Sequence, residues 1–243
     1  MNGFWAVFKR ELKGYFSTPV AYVFLVIFLF FAGYLPFKEG FFELRQADLS
    51  LFFKALPLLF IFMVPSVAMR LWAEERKTGS VELLLTLPIT VPQAVLGKFF
   101  AAWAFSAIAL LLTFPLWITV NYLGNPDNGV ILASYLGSLL MAGAFLAIGA
   151  CVSSLTRNQV IAFVVSAVVC LGFVLSGFPL VLDFFSTWAP GFLVQAVSSF
   201  SFLSHFNAIS EGVIEFQDIV FFVSLIVFWL FANAVVVDIK KAD

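Results

Sequence analysis

The chain has 243 residues, of which 63% are hydrophobic and only 11% are charged, and its formal net charge is −1. A soluble domain of this size carries about 25% charged residues, so the composition excludes a water-soluble globule and indicates lipid as the main solvent. The near-neutral charge gives no reason to expect a nucleic-acid partner. Long apolar runs without strict alternation favour membrane-spanning helices over the strands of a membrane barrel.

The first predicted element is an interfacial helix from Met1 to Thr18. Aromatic and aliphatic residues recur in it at helical spacing, while Lys9, Arg10 and Lys13 supply positive charge. A basic amphipathic helix of this kind lies in the headgroup plane of the bilayer. The apolar stretch that follows has no small-residue cleavage site, so we expect the helix to be retained rather than removed with a signal peptide.

The remaining apolar runs predict an all-α integral membrane fold with about six membrane-spanning helices. Their predicted bounds are Val20–Pro36, Leu51–Met69, Phe99–Tyr122, Val130–Leu155, Gln159–Leu182 and Ile219–Val237. With the N-terminus in the cytoplasm, ten Lys and Arg residues fall on the inner side and three on the outer side. Since cytoplasmic loops carry the excess of basic residues, we expect both termini in the cytoplasm and one multi-pass domain over residues 1–243.

The connection between the second and third predicted spans contains helix breaks and N-caps of the kind expected in a docking element. Charged residues extend the second span into water, Gly79 breaks the helix, and Ser80 is a suitable N-cap for a short helix over 81–87. Thr90 then begins the next helix, with Gln93 in the capping-box position. The sequence therefore predicts a helix, a short separate helix and a third helix on the cytoplasmic side.

The short helix in this connection has an apolar stripe and a charged rim. Val81, Leu84 and Leu85 share one face, and acids and bases flank them. From these residues alone, a docking surface for a cytoplasmic protein and an ordinary helix lying on the bilayer remain equally open. The candidate docking residues are Glu74, Glu75, Arg76, Lys77, Gly79, Glu82, Leu84 and Leu85.

The segment between Asp183 and Asp218 is apolar but interrupted, and it contains no Lys or Arg. Pro190 and Gly212 divide it into pieces too short to span, so we expect two short re-entrant helices in the outer leaflet. His205 is the only histidine, and it is either a pH-sensitive gate residue or an ordinary interfacial side chain. A single histidine and two cysteines inside predicted spans give no reason to expect a metal or cofactor.

The fourth predicted span carries a stripe of small residues. These are Gly143, Ala147, Ala150, Cys151 and Ser154. Stripes of this kind let helices approach closely in a membrane. The stripe predicts either close packing within the subunit or the seam of a dimer.

The run from Ala73 to Thr90 closely resembles the coupling segment of ABC-2-type permeases, with its glutamates, glycine-serine break, leucine-rich helix and closing proline. The opening run from Phe8 to Pro19 looks like the elbow helix of that family. Within the family, the chain is most similar to the gliding-motility-type (Gld F-like) and nitrous-oxide-maturation-type (Nos Y-like) permeases. The resemblance implies that the coupling helix seats in a groove on an ATPase. It also implies that an external gate formed by the segment with Asp183, Pro190, His205 and Asp218 caps an export path.

The sequence contains no G-x-x-x-x-G-K-[ST] nucleotide loop, so we expect this chain not to be an enzyme and ATP hydrolysis to occur in a separate cytoplasmic ABC ATPase dimer. The resemblance implies that the chain lies in a bacterial inner membrane and pairs with a second copy of itself or a homologous permease. It is also compatible with a periplasmic accessory protein. Two alternatives stay open. One is a secondary carrier or channel, although carriers usually show an ionisable residue within the membrane. The other is an ABC-type complex that does mechanical or assembly work without moving a substrate.

Overall fold

The computed structural model describes residues 3–41, 47–80, 89–187 and 190–240. These residues form twelve helices and no β-strand. Helix α1 (Gly3–Ser17) occupies the position of the predicted interfacial helix, and α2 (Pro19–Lys38) that of the first predicted span. Pro19 opens α2 because a proline at the first helical position lacks only an N–H group that would have no partner there.

Helices α3 (Ser50–Ala68) and α4 (Arg70–Thr78) are two parts of one long apolar-to-charged run that bends at Met69. Pro65 lies one turn before the bend, and its carbonyl accepts the Met69 N–H at 2.8 Å. The predicted second span is therefore confirmed as an apolar helix that α4 continues, and its extension into water stays a prediction. Gly79 ends α4 with φ of +73°, a left-handed conformation that favours glycine.

The third predicted span is broken into α5 (Val91–Leu111) and α6 (Phe114–Leu123). Pro115 has no N–H group with which to continue the helical ladder from α5. Thr113 completes the break, since its hydroxyl donates to the Leu110 carbonyl at 2.6 Å and contacts the Tyr135 hydroxyl at 2.9 Å. The predicted span, Phe99–Tyr122, therefore ends close to the observed end, but the helical run begins earlier, at Val91, and is broken at Leu112 and Thr113.

Helix α7 (Asn128–Leu155) is the central helix of the described structure. Asp127 caps its start by accepting the N–H groups of Gly129 and Val130. Every residue from 141 to 154 is buried, including the whole stripe of small residues. A Cβ added at Gly149 would lie 2.4 Å from the Ala68 Cβ, so the backbones of α7 and α3 pack closely there. The stripe thus serves packing within the subunit.

The remaining helices are α8 (Gln159–Leu175), α9 (Pro179–Ser186), α10 (Gly191–Ser199), α11 (Phe202–Ser210) and α12 (Phe216–Ile239). The fifth predicted span extended to Leu182, but α8 ends at Leu175 because a turn at Ser176 and Gly177 leads directly into Pro179. Helix α9 takes the place of the end of the predicted fifth span, and α10 and α11 match in number the two short helices predicted before α12, whose place in the outer leaflet stays a prediction. The apolar side chains of Phe202, Phe206 and Ile209 on α11 are buried, and α11 packs against α7.

Five helical runs of the described residues are long and apolar enough to cross a membrane. They are Pro19–Lys38, Ser50–Thr78, Val91–Leu123, Asn128–Leu155 and Phe216–Ile239. Helix α8 is equally apolar but has only 17 residues. The chain is therefore a multi-pass membrane protein, and a sixth crossing by α8 stays a prediction.

The two ends of α7 carry different chemistry. Near its start, Ser134 donates to the Ser210 carbonyl at 3.3 Å, and near its end the Ser154 carbonyl accepts from Arg76. Twenty residues of helix place these contacts about 30 Å apart. Nine of the described Lys and Arg residues lie toward the Ser154 end and two, Lys38 and Lys54, toward the other. We name these the basic end and the opposite end.

Candidate functional site

The basic end carries a closed ring of four charged side chains, hereafter the charge ring. Lys98 Nζ on α5 lies 3.0 Å from Glu11 Oε1 on α1 and 2.9 Å from Glu75 Oε1 on α4. Arg10 Nη2 lies 2.6 Å from the same oxygen of Glu11 and 2.8 Å from that of Glu75. The charges alternate around the ring, so each carboxylate contacts both cations and three helices are joined.

Burial makes this ring stronger than a surface ion pair. The side chains of Lys98, Glu75 and Glu11 are 1%, 17% and 18% exposed, and only Arg10, at 50%, reaches solvent freely. The Lys98 ammonium also lies 5.1 Å from the ring centroid of buried Trp72, which adds a cation–π contact. Burial by itself raises the pKa of Glu11, but Lys98 and Arg10 outweigh that effect and hold the pKa below its usual range. Glu11 is therefore ionised at neutral pH.

The charge ring ties together the two helices that precede and follow the predicted short helix over 81–87. Glu75 lies one turn before the end of α4, and Lys98 lies two turns into α5. Between them, Gly79 breaks the first helix, and Thr90 begins the second, as predicted. The capping box is also present, since the Gln93 side-chain oxygen accepts the Thr90 N–H at 3.2 Å. Residues 81–88 lie outside the described residues.

The predicted docking residues on α4 have different surroundings. Glu74 accepts from Arg70 at 2.9 Å and is 44% exposed, while Lys77 is exposed in the last turn. Arg76 donates to the Ser154 carbonyl at the end of α7, and Glu75 points into the charge ring. The other predicted docking residues, Glu82, Leu84 and Leu85, lie outside the described residues. A docking role for each of these residues stays a prediction.

A serine from α7 joins the bend between α3 and α4. The Ser153 hydroxyl accepts the N–H groups of Trp72 at 3.1 Å and Ala73 at 3.0 Å, and it donates to the Met69 carbonyl at 2.9 Å. These backbone groups would otherwise lack partners where the helix bends. One side chain therefore closes the joint and fixes α4 to the central helix.

A polar cavity of about 120 Å³ separates α1 from the same joint. It is lined by Glu11, Gly14, Tyr15, Thr18, Arg70, Leu71 and Glu74. Arg70 crosses it and donates to the Thr18 hydroxyl at 2.9 Å, at the corner between α1 and α2. Around the cavity, charged and hydrogen-bonded contacts hold α1 to α4.

At the opposite end, the structure brings together two of the four predicted gate residues. His205 Nδ1 on α11 lies 2.6 Å from Asp218 Oδ1 in the first turn of α12. His205 Nε2 lies 3.1 Å from the Ser199 carbonyl oxygen. The side chains of His205 and Asp218 are 12% and 7% exposed. The other two predicted gate residues, Asp183 and Pro190, are exposed and lie outside this contact.

The sequence interpretation missed the partners that hold the basic end together. Lys98 entered the sequence interpretation as an inner positive charge and as part of the family resemblance, without a partner, and neither Glu11 nor Ser153 was singled out. A usable signal exists for Lys98, which is the only charged residue of the apolar helix α5. A lone base inside an apolar helix needs a carboxylate partner, and Glu11 is the only acid of α1.

Comparison with known proteins identifies the family. A family model described as ABC-2 family transporter protein matches residues 39–237, which is more than half of the chain. No curated protein matches the chain. Members of the matched family form the membrane component of ABC transporters and are not themselves the ATPase. The chain therefore belongs to the ABC-2 transporter family, as a multi-pass permease subunit.

Proposed function

We propose that this permease exports a substrate across a bacterial inner membrane, driven by a cytoplasmic ABC ATPase dimer that docks on residues 79–90. The observation that carries the proposal is the charge ring. Its members on α4 and α5 flank the docking segment, and its members on α1 extend the connection to the interfacial helix. A partner that displaces residues 79–90 would therefore move three helices together rather than bend one loop.

The proposed route of force from the ATPase passes through α7. Helix α4 is fixed to α7 by Ser153, at the joint, and by Arg76, at the end of α7. Because α7 is a single buried helix, a shift at its basic end is carried to its start, about 30 Å away. There α7 packs against α11. This connection links the docking segment with the proposed external gate, which comprises Asp183, Pro190, His205 and Asp218.

The remaining parts of the proposal concern assembly. The chain spans the membrane six times as a single domain with both termini in the cytoplasm, and α8 provides the short crossing. A second permease subunit, identical or homologous, completes an export pathway between the two. A periplasmic accessory protein fits the resemblance to gliding-motility-type and nitrous-oxide-maturation-type permeases. The excess of basic residues at one end of the bundle supports this orientation.

Co-purification with the ATPase tests the docking segment. We expect Leu84→Asp to abolish recovery of an ABC-type ATPase with the tagged permease, because a charge cannot replace an apolar anchor at a protein interface. Val213→Asp is the matched control, since Val213 is 53% exposed in the turn after α11, at the opposite end. Retention of the ATPase and of full transport by Leu84→Asp would overturn the docking assignment.

Labelling of single cysteines tests the orientation. A membrane-impermeant maleimide added to intact cells should label Glu211→Cys, which is exposed at the opposite end, and should not label Lys77→Cys at the basic end. The native Cys151 and Cys170 are buried and free, so they give little background. The reverse pattern of labelling would contradict the proposed topology.

A further inference from the structure

The contact between His205 and Asp218 defines where protons must lie. The Ser199 carbonyl oxygen can only accept a hydrogen bond, so His205 Nε2 carries a proton. At 2.6 Å, His205 Nδ1 and Asp218 Oδ1 cannot both present lone pairs, so a second proton lies between them. The pair is then either an imidazolium with a carboxylate or an imidazole with a carboxylic acid, and both arrangements have zero net charge.

The surroundings favour this shared proton. The His205 ring is stacked on Phe221, with 4.0 Å between the ring centroids, and an aromatic face stabilises a cationic imidazolium. The second carboxylate oxygen of Asp218 is buried and has no hydrogen-bond partner among the described residues. A carboxylate in such a place is costly unless its charge is neutralised. The proton on His205 provides that neutralisation.

Other described charges do not substitute for it. The titratable side chains on the elements packed against α11 and α12, and in the turn between them, are Lys54, Lys98, Tyr135, Cys151, Cys170, Glu211, Glu215 and Asp238. In the described part of the chain, none of these forms an ion pair or hydrogen bond with His205 or Asp218. Glu211, Glu215 and Lys54 are exposed, while Lys98 belongs to the charge ring.

We infer that His205 and Asp218 form a proton-binding site that fastens the helices before α12 to α12 itself. The two protons of the site join three elements: the Nε2 proton holds α11 to the Ser199 carbonyl at the end of α10, and the proton at Nδ1 holds α11 to Asp218 on α12. When one proton leaves to solvent, the neutral imidazole keeps a single N–H and can serve only one of its two acceptors, Asp218 or the Ser199 carbonyl, so one of the contacts that hold α11 is lost. The fastened state therefore dominates at lower pH, and the released state gains population as pH rises.

The single histidine allows a direct test. The full chain, labelled with ¹⁵N-histidine, carrying a tag without histidine and reconstituted in lipid nanodiscs, gives the signals of His205 alone. Spectra are recorded from about pH 5 to about pH 9, the range in which imidazoles titrate. We expect protons on both ring nitrogens at the acid end and the loss of one of them as pH rises. In Asp218→Asn, an amide N–H can donate to Nδ1 instead, so His205 should stay a neutral Nε2–H tautomer over a wider pH range.

Hydrogen exchange of the α11 amides reports the fastening itself. After correction for intrinsic rates, we expect exchange in the wild type to increase by about tenfold or more across the His205 transition. Exchange in Asp218→Asn should stay slow at every pH, because the amide preserves the contact. Asp183→Asn is the matched control at an exposed aspartate of the same segment, and it should behave as the wild type does.

Two results would overturn the inference. One is a His205 titration that is identical in the wild type and in Asp218→Asn. The other is α11 exchange with no step at that titration. If Asp218→Asn does not fold, His205→Gln replaces it, and a pH-dependent step that persists without the imidazole would equally overturn the inference. These measurements need neither ATPase nor substrate, so their outcome is independent of the proposed docking.

Discussion

Lys98 Nζ lies 2.9 Å from Glu75 Oε1, although most of the predicted coupling segment lies between the two residues in sequence. The contact closes the base of that segment. It holds the helix that enters the segment against the helix that leaves it. A force applied to residues 81–88 would therefore act on α4 and α5 together.

Removing the buried cation should destabilise the basic end. We expect Lys98→Met to lower the free energy of unfolding by about 3 to 5 kcal/mol, because Glu11 and Glu75 would keep buried charges with one partner each. Thermal unfolding of the purified protein in detergent measures the effect. Lys13→Met, at an exposed lysine of α1, should change stability little. Equal stabilities of the two variants would contradict a structural role for the charge ring.

The pH dependence of the charge ring follows from Glu11. Its pKa is below the ordinary value of 4.5, so its ionised form stabilises the folded state fully above that pH. The stabilisation is lost as pH falls below 4.5 and through the folded pKa. We expect proteolysis between α1 and α2 to accelerate on acidification over that window in the wild type. The Glu11→Gln variant should be cleaved faster than the wild type already at neutral pH, and its cleavage should respond less to acid. An acid response equal to that of the wild type would argue against Glu11 as its source.

The joint between α3 and α4 should depend on one hydroxyl. Ser153→Ala leaves two buried N–H groups and a carbonyl without a partner, and each such group costs about 1 to 3 kcal/mol. We expect a clear loss of thermal stability and of ATPase stimulation by the permease. Ser154→Ala is the adjacent control, since its hydroxyl bonds only within α7, to the Cys151 carbonyl. Comparable losses in both variants would remove the special role of Ser153.

The break after α4 should require glycine. A Cβ at Gly79 meets no atom within 4 Å, so Gly79→Ala tests backbone conformation alone, at a cost of about 1 to 2 kcal/mol for φ of +73°. We expect α4 to extend and the recovery of ATPase to fall. Gly33→Ala also meets open space but lies in a regular helix, so it should be neutral. Full recovery of ATPase with Gly79→Ala would show that the segment does not need the left-handed backbone conformation at this residue.

Features that depend on neighbouring residues in the chain could be predicted from the sequence. The interfacial helix, the extension of the second span, the break at Gly79 and the capping box of Thr90 all follow from local spacing and capping chemistry. The break at Thr113 was missed, since proline is often tolerated inside membrane helices and a kink without a break was equally compatible. Helix α8 ends at Leu175 because a turn follows it, and Ser176 and Gly177 were the only residues in the sequence that indicated this turn.

Features that depend on which helices meet could not be predicted in the same way. Periodicity shows that Lys98 lies on an apolar helix, but not that α1 and α4 bring carboxylates to it. His205 had two open interpretations, and its contact with Asp218 needed the turn at Gly212 to place α11 beside α12. The packing of α11 on α7 was likewise not readable from its short amphipathic pattern.

The burial of α7 has a consequence for biosynthesis. Its most extensive contact in the described structure is with α12, yet residues 156–215 are translated between the two helices. A nascent chain that has reached only α7 has Trp103 of α5 beside Gly143, but it lacks Ile226 of α12, which packs there in the folded chain. Insertion of the helices up to α7 and closure of the bundle by α12 are therefore separate events in time. After insertion, α7 must remain free to exchange neighbouring lipids for α12.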